Sequence, residues 1–166
     1  MTNFLYDKSK GDMAESIVLQ VLSEEYPKKK FNKIVGKNSD YDIVEETKSK
    51  NGLTIEVKFD IKAKDTGNLC FEFTNGKKPT GVCVSKAKEI WYVLESKTPD
   101  TYIIFKFDRA KLLQHLLYHA IVQESKDIRV VYGGDDKRFG LIIIPIKRVV
   151  EESFGTIIKK EYKKHE

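Results

Sequence analysis

The fold is decided by the stretch Asp40-Tyr41-Asp42-Ile43-Val44-Glu45-Glu46, Asn51-Gly52 and Leu53-Thr54-Ile55-Glu56-Val57-Lys58-Phe59-Asp60. Two strand-like segments, 41–46 and 53–60, flank the pair Asn51-Gly52. Both residues of that pair tolerate positive φ, and the pair is a strong signal for a hairpin turn. We therefore predict that the two segments are antiparallel neighbours in a sheet.

The second of these segments has two chemically different faces. Side chains alternate along a strand, so Glu56, Lys58 and Asp60 share one face while Val57 and Phe59 share the other. A strongly apolar face indicates a central strand. The hairpin would place Asp42 beside Glu56, so that two carboxylates and one ammonium group converge.

Such a cluster suits a hard divalent cation, because carboxylate oxygens are preferred ligands of Mg²⁺ and Mn²⁺. Asp42 and Glu56 are the predicted metal ligands, and the main-chain carbonyl of Val57 is a further candidate. Lys58 is placed to orient a water molecule or to stabilise charge on a phosphate. The combination indicates phosphodiester hydrolysis. The alternative is a surface hairpin with solvated salt bridges, since 33% of the residues are charged.

Outward from this stretch, the pattern indicates one α/β domain over residues 1–166 with a mixed central sheet flanked by helices. The chain has no repeat or linker that would divide it. A charged tail is expected from about residue 159. The other predicted elements are a helix over 11–22, strands over 69–74, 89–95 and 102–107, a helix capped by Asp108 and running to about 121, and a hairpin of 128–131 with 139–146.

Composition restricts the class of protein further. The 166 residues include 30 Lys and Arg against 25 Asp and Glu, and the net charge of +5 weakly favours a polyanionic partner. No apolar run reaches the roughly 18 residues that a membrane helix needs. The N-terminus lacks the apolar core of an export signal, and Cys70 and Cys83 are set among apolar residues. We therefore expect a soluble cytoplasmic protein with reduced thiols.

The motif formed by Asp42, a turn and Glu56-Val57-Lys58 resembles that of the PD-(D/E)XK nuclease superfamily. The resemblance implies a restriction-endonuclease-like core, DNA as substrate and Mg²⁺ or Mn²⁺ as cofactor. It also implies that Glu15, on the preceding helix, supports the metal or its water. A narrower resemblance to small phage-type nucleases covers about residues 11–94, in the blocks 56–60, 66–72, 79–81 and 85–87 up to Trp91.

Other polar residues near this motif have two interpretations each. Asp40 competes with Asp42 for the metal, and Asp60 is more suited to a place behind the ligands. Glu72 either reaches the site from a neighbouring strand or pairs with a lysine. The turn containing Thr66 and Asn68 either binds a phosphate or is an ordinary turn. Lys86 either contacts a phosphate or is solvated.

Two further features are interpreted as structural rather than as parts of a functional site. Trp91 is expected in the core. His115 and His119 are spaced to chelate a metal on one helix, but the sequence indicates no third ligand, so a place at the core edge or surface is favoured.

The leading hypothesis is a metal-dependent deoxyribonuclease that is structure-directed or weakly sequence-specific, and a homodimer is one way for it to cut two strands. The alternatives are a non-catalytic nucleic-acid-binding module and a partner-binding accessory protein of the same fold.

Overall fold

Two β-sheets of different size organise the chain. The computed structural model describes residues 2–35, 40–119, 126–133, 137–153 and 155–162. The helices are α1 (Thr2–Glu25), α2 (Ala63–Thr66), α3 (Arg109–Leu117) and α4 (Ile146–Glu151), with a 3₁₀ helix at Gly81–Cys83. The strands are β1 (Phe31–Lys33), β2 (Ile43–Glu45), β3 (Thr54–Asp60), β4 (Asn68–Asn75), β5 (Lys78–Pro79), β6 (Glu89–Glu95), β7 (Thr101–Asp108), β8 (Arg129–Gly133), β9 (Phe139–Pro145) and β10 (Thr156–Glu161).

The larger sheet is mixed and has the order β1-β2-β3-β6-β7-β10. Its strands pair antiparallel except β3 and β6, which run parallel with Val57 opposite Trp91. The smaller sheet is antiparallel, in the order β5-β4-β9-β8. The predicted α/β fold with a mixed central sheet flanked by helices is therefore confirmed.

Helix α1 covers one face of the larger sheet. Its apolar residues recur at helical spacing and pack on the buried side chains of Ile43, Ile55, Trp91 and Val93. Each such fully buried side chain contributes about 1.5–3 kcal/mol. The core position predicted for Trp91 is confirmed, since its exposed fraction is 0%. The buried residues of α1 are Ala14, Ile17, Val18, Val21 and Leu22.

The opposite face of the larger sheet packs on the smaller sheet and on α3. Ile90, Tyr92 and Phe107 are buried there together with Phe71 and Leu112. The hydroxyl of Tyr92 donates to Oδ2 of Asp60 at 2.7 Å and accepts from the backbone N–H of Cys70 at 3.0 Å. This buried hydroxyl therefore ties β3 of one sheet to β4 of the other.

The predicted antiparallel pairing across Asn51-Gly52 is confirmed, with Ile43 opposite Ile55. The predicted turn is wrong, because neither Asn51 nor Gly52 has positive φ. The connection spans residues 46–53, where the N–H of Asn51 donates to Oγ of Ser49 and the N–H of Leu53 donates to Oε2 of Glu45. A tight turn one residue earlier than predicted, closed by the N–H of Gly52 donating to the carbonyl of Ser49 at 3.3 Å, shapes this loop together with these side-chain acceptors.

Strand β4 does not continue a meander beside β3. Gly67 ends α2 in the left-handed region, at φ 68°, and the chain leaves the larger sheet there. The free edge of β3 then pairs with β6, while β4 pairs with β9. Glu72 consequently approaches β3 from the other sheet and not from a neighbouring strand.

The end of the chain also differs from prediction. Lys159 and Lys160 lie within β10, which pairs antiparallel with β7 along the edge of the larger sheet, so the charged tail does not begin at residue 159. Only two apolar residues, Ile157 and Ile158, precede the lysines of this strand, which makes it hard to recognise. The expected cap of α3 is confirmed, because Oδ1 of Asp108 accepts from the N–H of Lys111 at 2.9 Å.

The other elements not anticipated are β1, α2, β5, the 3₁₀ helix, α4 and the part of α1 before residue 11. The first five are short, and the apolar residues of 2–10 are consecutive rather than at helical spacing, so periodicity does not mark these elements. The end of α3 near residue 121 and the turn at 134–136 lie outside the described residues. No described helix is long and apolar enough to span a membrane.

Candidate metal centre and cleft

Asp42 is fixed to β3 by two backbone hydrogen bonds. Its own N–H donates to the carbonyl of Ile55 at 2.9 Å, and the N–H of Val57 donates to its Oδ2 at 2.7 Å. Asp42 precedes β2 directly, so the predicted pairing carries its carboxylate across to the middle of β3. The sequence prediction that Asp42 lies beside the Glu56-Val57-Lys58 segment agrees with this geometry.

Glu56 and Lys58 face the same side of β3 and contact each other through Oε1 and Nζ. The Glu56 side chain is 15% exposed and that of Lys58 is 42% exposed. Oγ of Ser85 lies 3.5 Å from the second carboxylate oxygen of Glu56, and it also accepts from the N–H of Ala87. One side of the Glu56 carboxylate is thus paired with a cation, while the other meets only a neutral hydroxyl.

Burial raises the pKa of Asp42 from 3.8 to about 6. The hydrogen bond from Val57 opposes that shift, whereas the negative charges of Glu56 and Glu15 add to it. The charge of Lys58 opposes it only weakly, being the smallest of these influences. A half-buried carboxylate among other carboxylates is a site of strong negative potential, which favours a bound cation.

Glu15 approaches this cluster from α1. Its Oε2 lies 2.6 Å from Nζ of Lys33, which also lies 2.5 Å from Oδ1 of Asp12. The Glu15 side chain is 17% exposed, and its charge raises the pKa of Asp42. The helix therefore brings a third carboxylate within electrostatic reach of the Asp42 and Glu56 pair.

A cleft of about 510 Å³ opens beside the cluster. Glu56 and Lys58 line it from the larger sheet, while Cys70 and Glu72 line it from β4. Burial raises the pKa of the Cys70 thiol, and Cys70 is half-buried. The cleft thus lies where the two sheets diverge, with ionic groups on both walls.

Gly81 allows one wall of this cleft to form. It has φ +52°, and a Cβ at this position would lie 2.2 Å from the carbonyl oxygen of Glu72. Only glycine combines that backbone conformation with such a close approach. The segment from Gly81 to Ser85 therefore packs directly on β4 and reaches Glu56.

Asp40 and Lys86 occupy the rim. Nζ of Lys86 lies 3.0 Å from Oδ2 of Asp40, and the backbone N–H of Lys86 donates to the carbonyl of Asp40. Asp40 lines the cleft and, like Asp42, precedes β2. The lysine holds Asp40, whereas Asp42 faces Val57 and Glu56.

Three other sequence-predicted residues have local partners away from the cleft. The carboxylate of Asp60 accepts from Tyr92 and from the backbone N–H groups of Lys62 and Ala63. Nδ2 of Asn68 donates to the carbonyl of Thr66, and Oγ1 of Thr66 accepts from the N–H of Asn68. The structure therefore does not bring Asp60, Thr66 or Asn68 to the Asp42 and Glu56 cluster.

Sequence reasoning missed two other groups. Ser85 reaches Glu56 only because the Gly81–Cys83 turn folds over β4, so no local pattern marks it. Glu152, at the end of α4, lies beside His115 and His119, and one ligand atom from each of the three lies within 4.8 Å of the others. Burial, followed by the charge of His119, lowers the pKa of His115.

The donors at the cleft fit a hard divalent cation. Asp42 and Glu56 offer carboxylate oxygens, and burial, with a smaller effect from the charges of Glu56 and Glu15, raises the pKa of Asp42. Oxygen donors of this kind suit Mg²⁺ or Mn²⁺ better than softer metals.

Comparison with known proteins gives limited similarity. No family model matches the chain, and no curated protein matches it. Among solved structures, the chain is similar to a bacterial homing endonuclease, I-Ssp6803I, with a TM-score of 0.48 and 17% sequence identity. The match covers 64% of this chain and 72% of the other.

Proposed function

We propose that this protein is a divalent-metal-dependent nuclease that hydrolyses DNA phosphodiester bonds. The observation that carries the proposal is the assembly of Asp42, Glu56 and Lys58 at one point of the larger sheet, beside a cleft. Two carboxylates, one preceding β2 and one on β3, with an ammonium group alongside, match the requirements of metal-assisted phosphodiester hydrolysis.

Asp42 and Glu56 are the proposed metal ligands, and the carbonyl of Val57 is a further candidate. A bound Mg²⁺ or Mn²⁺ would polarise the phosphodiester and lower the pKa of a water molecule. The hydrogen bond from Val57 fixes the Asp42 carboxylate, which reduces the reorganisation needed for binding. Glu15, at the edge of the cluster, supports the metal or its water.

Lys58 has two roles in this proposal. Its Nζ contacts Glu56, so the ammonium group is held at the cluster. When the phosphate enters, Lys58 orients the attacking water or stabilises the charge that develops on the phosphate oxygens. Ser85, through its Oγ, positions the other oxygen of Glu56.

The proposed substrate is DNA recognised mainly through its backbone. A net charge of +5 and exposed lysines such as Lys86 at the rim supply attraction for phosphates with little sequence information. Structure-directed or weakly sequence-specific cleavage follows from this balance. A homodimer would place two such sites on two strands.

The test is incubation of the purified chain with Mg²⁺ or Mn²⁺ and labelled single-stranded, duplex, flapped and four-way-junction DNA. We expect cleavage that EDTA abolishes and that Glu56→Gln and Lys58→Ala each reduce by about 100-fold or more. Glu46→Gln and Lys48→Ala are matched controls, because these exposed residues lie in the loop between β2 and β3, away from the cleft.

Two results would overturn the proposal. DNA binding without cleavage under both metals would support a non-catalytic nucleic-acid-binding module. Neither binding nor cleavage would support an accessory protein in which the charged cluster is structural. Equal losses in the Glu56 variant and the Glu46 control would remove the assigned role of Glu56.

A further inference from the structure

A second group of metal-ligating side chains lies on α3 and just beyond the ends of α3 and α4, which are different elements from those that carry the cleft cluster. His115 lies on α3, His119 follows the end of that helix, and their ring centroids are 4.3 Å apart. Glu152 follows α4, and its Oε2 lies 3.2 Å from Nε2 of His115. Two imidazoles and one carboxylate thus converge from two helices.

We propose that His115, His119 and Glu152 form a binding site for one borderline divalent transition-metal ion of the Zn²⁺ class. This donor set differs from the oxygen ligands of the cleft, because imidazole nitrogen suits Zn²⁺, Co²⁺ and Ni²⁺ and is a poor ligand for Mg²⁺. The two sites are therefore separable by the choice of metal.

The distances are close to those required. One ligand atom from each residue lies within 4.8 Å of the others. Zn–N and Zn–O bonds of about 2.0–2.2 Å place two ligands of one ion at most about 4 Å apart. Side-chain rotations that shift the ligand atoms by about 1 Å therefore bring all three within bonding distance of one ion. Water molecules would complete the coordination.

Arg148 orients the carboxylate of this group. Its Nε lies 2.6 Å from Oε1 of Glu152, which leaves Oε2 directed towards His115. Hydrogen bonding to the far oxygen of a ligating carboxylate is the usual outer-shell arrangement of metal sites. Nη2 of Arg148 also lies 3.4 Å from Nδ1 of His119, a contact that the metal would replace.

The local charge balance permits a cation despite the guanidinium. Nη1 of Arg148 lies 3.4 Å from Oδ2 of Asp127, so Arg148 is shared between two carboxylates. With neutral imidazoles, the described residues of this cluster carry one positive and two negative charges. Binding would join α3 to the end of α4, just before the chain enters β10.

The experiment is a titration of the metal-stripped full chain with Co²⁺ in excess Mg²⁺, followed by visible absorption. Mg²⁺ occupies oxygen ligands at the cleft, so the Co²⁺ spectrum reports the imidazole site. We expect one saturable site whose absorption indicates nitrogen ligands. His119→Gln and Glu152→Gln should each weaken Co²⁺ binding at least tenfold.

Glu151→Gln is the matched control, because Glu151 is adjacent on α4, is 61% exposed and pairs with Lys147. It should bind Co²⁺ as the parent does. Anomalous diffraction from crystals of the parent grown with Zn²⁺ locates the ion without any variant. Absence of saturable Co²⁺ binding, equal binding by the Glu152 variant and the control, or the lack of an anomalous peak at these three side chains would each overturn the proposal.

Discussion

The N–H of Val57 donates a hydrogen bond of 2.7 Å to Oδ2 of Asp42, joining the residue before β2 to the centre of β3. This bond brings Asp42 to Glu56 and Lys58 across the sheet. Ionisation of the Asp42 carboxylate is nevertheless unfavourable, because this group is half-buried and lies near other negative charges. The fold therefore holds the Asp42 carboxylate in a place where its charged form lowers the stability of the metal-free protein.

We predict that Asp42→Asn stabilises the metal-free protein at neutral pH. Folding raises the pKa of Asp42 from 3.8 to about 6. The folded protein therefore binds the proton of the Asp42 carboxyl more tightly than the unfolded chain does. The free energy of unfolding therefore falls as pH rises from 3.8 to about 6. Above that range the ionised Asp42 lowers it by its full amount, about 1–3 kcal/mol. Asparagine retains an acceptor for Val57 and removes the cost.

The measurement is urea unfolding in EDTA across this pH range. The stability gain of Asp42→Asn should disappear below pH 3.8, where Asp42 is protonated in both the folded and the unfolded state. Asp40→Asn is the control, because Asp40 is exposed and paired with Lys86. The prediction fails if the Asp42 variant is no more stable than the parent above pH 6. Added Mg²⁺ should stabilise only the parent and the Asp40 variant.

We predict that Glu15→Gln weakens cleavage by about 10-fold to 100-fold, while Asp12→Asn leaves it nearly unchanged. Both carboxylates contact Lys33, but only Glu15 raises the pKa of Asp42. Removing Glu15 should lower that pKa, which a carbon-detected NMR titration of the Asp42 carboxyl measures directly. Equal effects of the two variants would assign the role to the Lys33 ion pairs instead.

Gly81→Ala should destabilise the protein by about 2–4 kcal/mol and also reduce cleavage. A Cβ there would lie 2.2 Å from backbone oxygen of Glu72, at φ +52°. Gly76→Ala separates the two causes, because Gly76 has φ +63° with open space around it. Its cost should be about 1 kcal/mol. Thermal unfolding of both variants gives the comparison, and equal losses would rule out the close approach as the cause.

Tyr92→Phe should cost about 1–3 kcal/mol without abolishing cleavage per folded molecule. The hydroxyl is the partner of Asp60 and of the Cys70 N–H, and its loss leaves buried polar groups unsatisfied. Denaturant unfolding measures the loss, and Tyr132→Phe is a control because Tyr132 is 59% exposed. Cleavage lost in parallel with Glu56→Gln would show that this bridge belongs to the reaction.

The parts of the site that lie close together in sequence were predictable. The period of two along β3 assigns Glu56 and Lys58 to one face and Val57 to the other, and a hairpin partner brings Asp42 alongside. The turn chemistry itself was misjudged, because the turn closes between the Gly52 N–H and the Ser49 carbonyl, one residue earlier than predicted, and side chains of the loop supply further acceptors. Pairing depended on the apolar pattern and not on the turn type.

The parts that depend on distant contacts were not predictable. The parallel pairing of β3 with β6 places Ile55 opposite Glu89, 34 positions further along the chain (89 − 55). The placement of Ser85 beside Glu56, and of Glu152 beside His115, likewise follows from packing between elements. No local pattern records such contacts, since each partner satisfies its own element's periodicity.

The parallel pairing of β3 with β6 also means that β3 is synthesised well before the strand that covers its second edge. Residues 42–58 leave the ribosome before β6 exists, so the strand that carries Glu56 and Lys58 has one uncovered edge while the next residues are being made. We expect these groups to be held in place only after residue 95 has emerged and the long loop has closed. A nascent chain that ends before residue 95 therefore lacks the strand that pairs with β3 along its second edge.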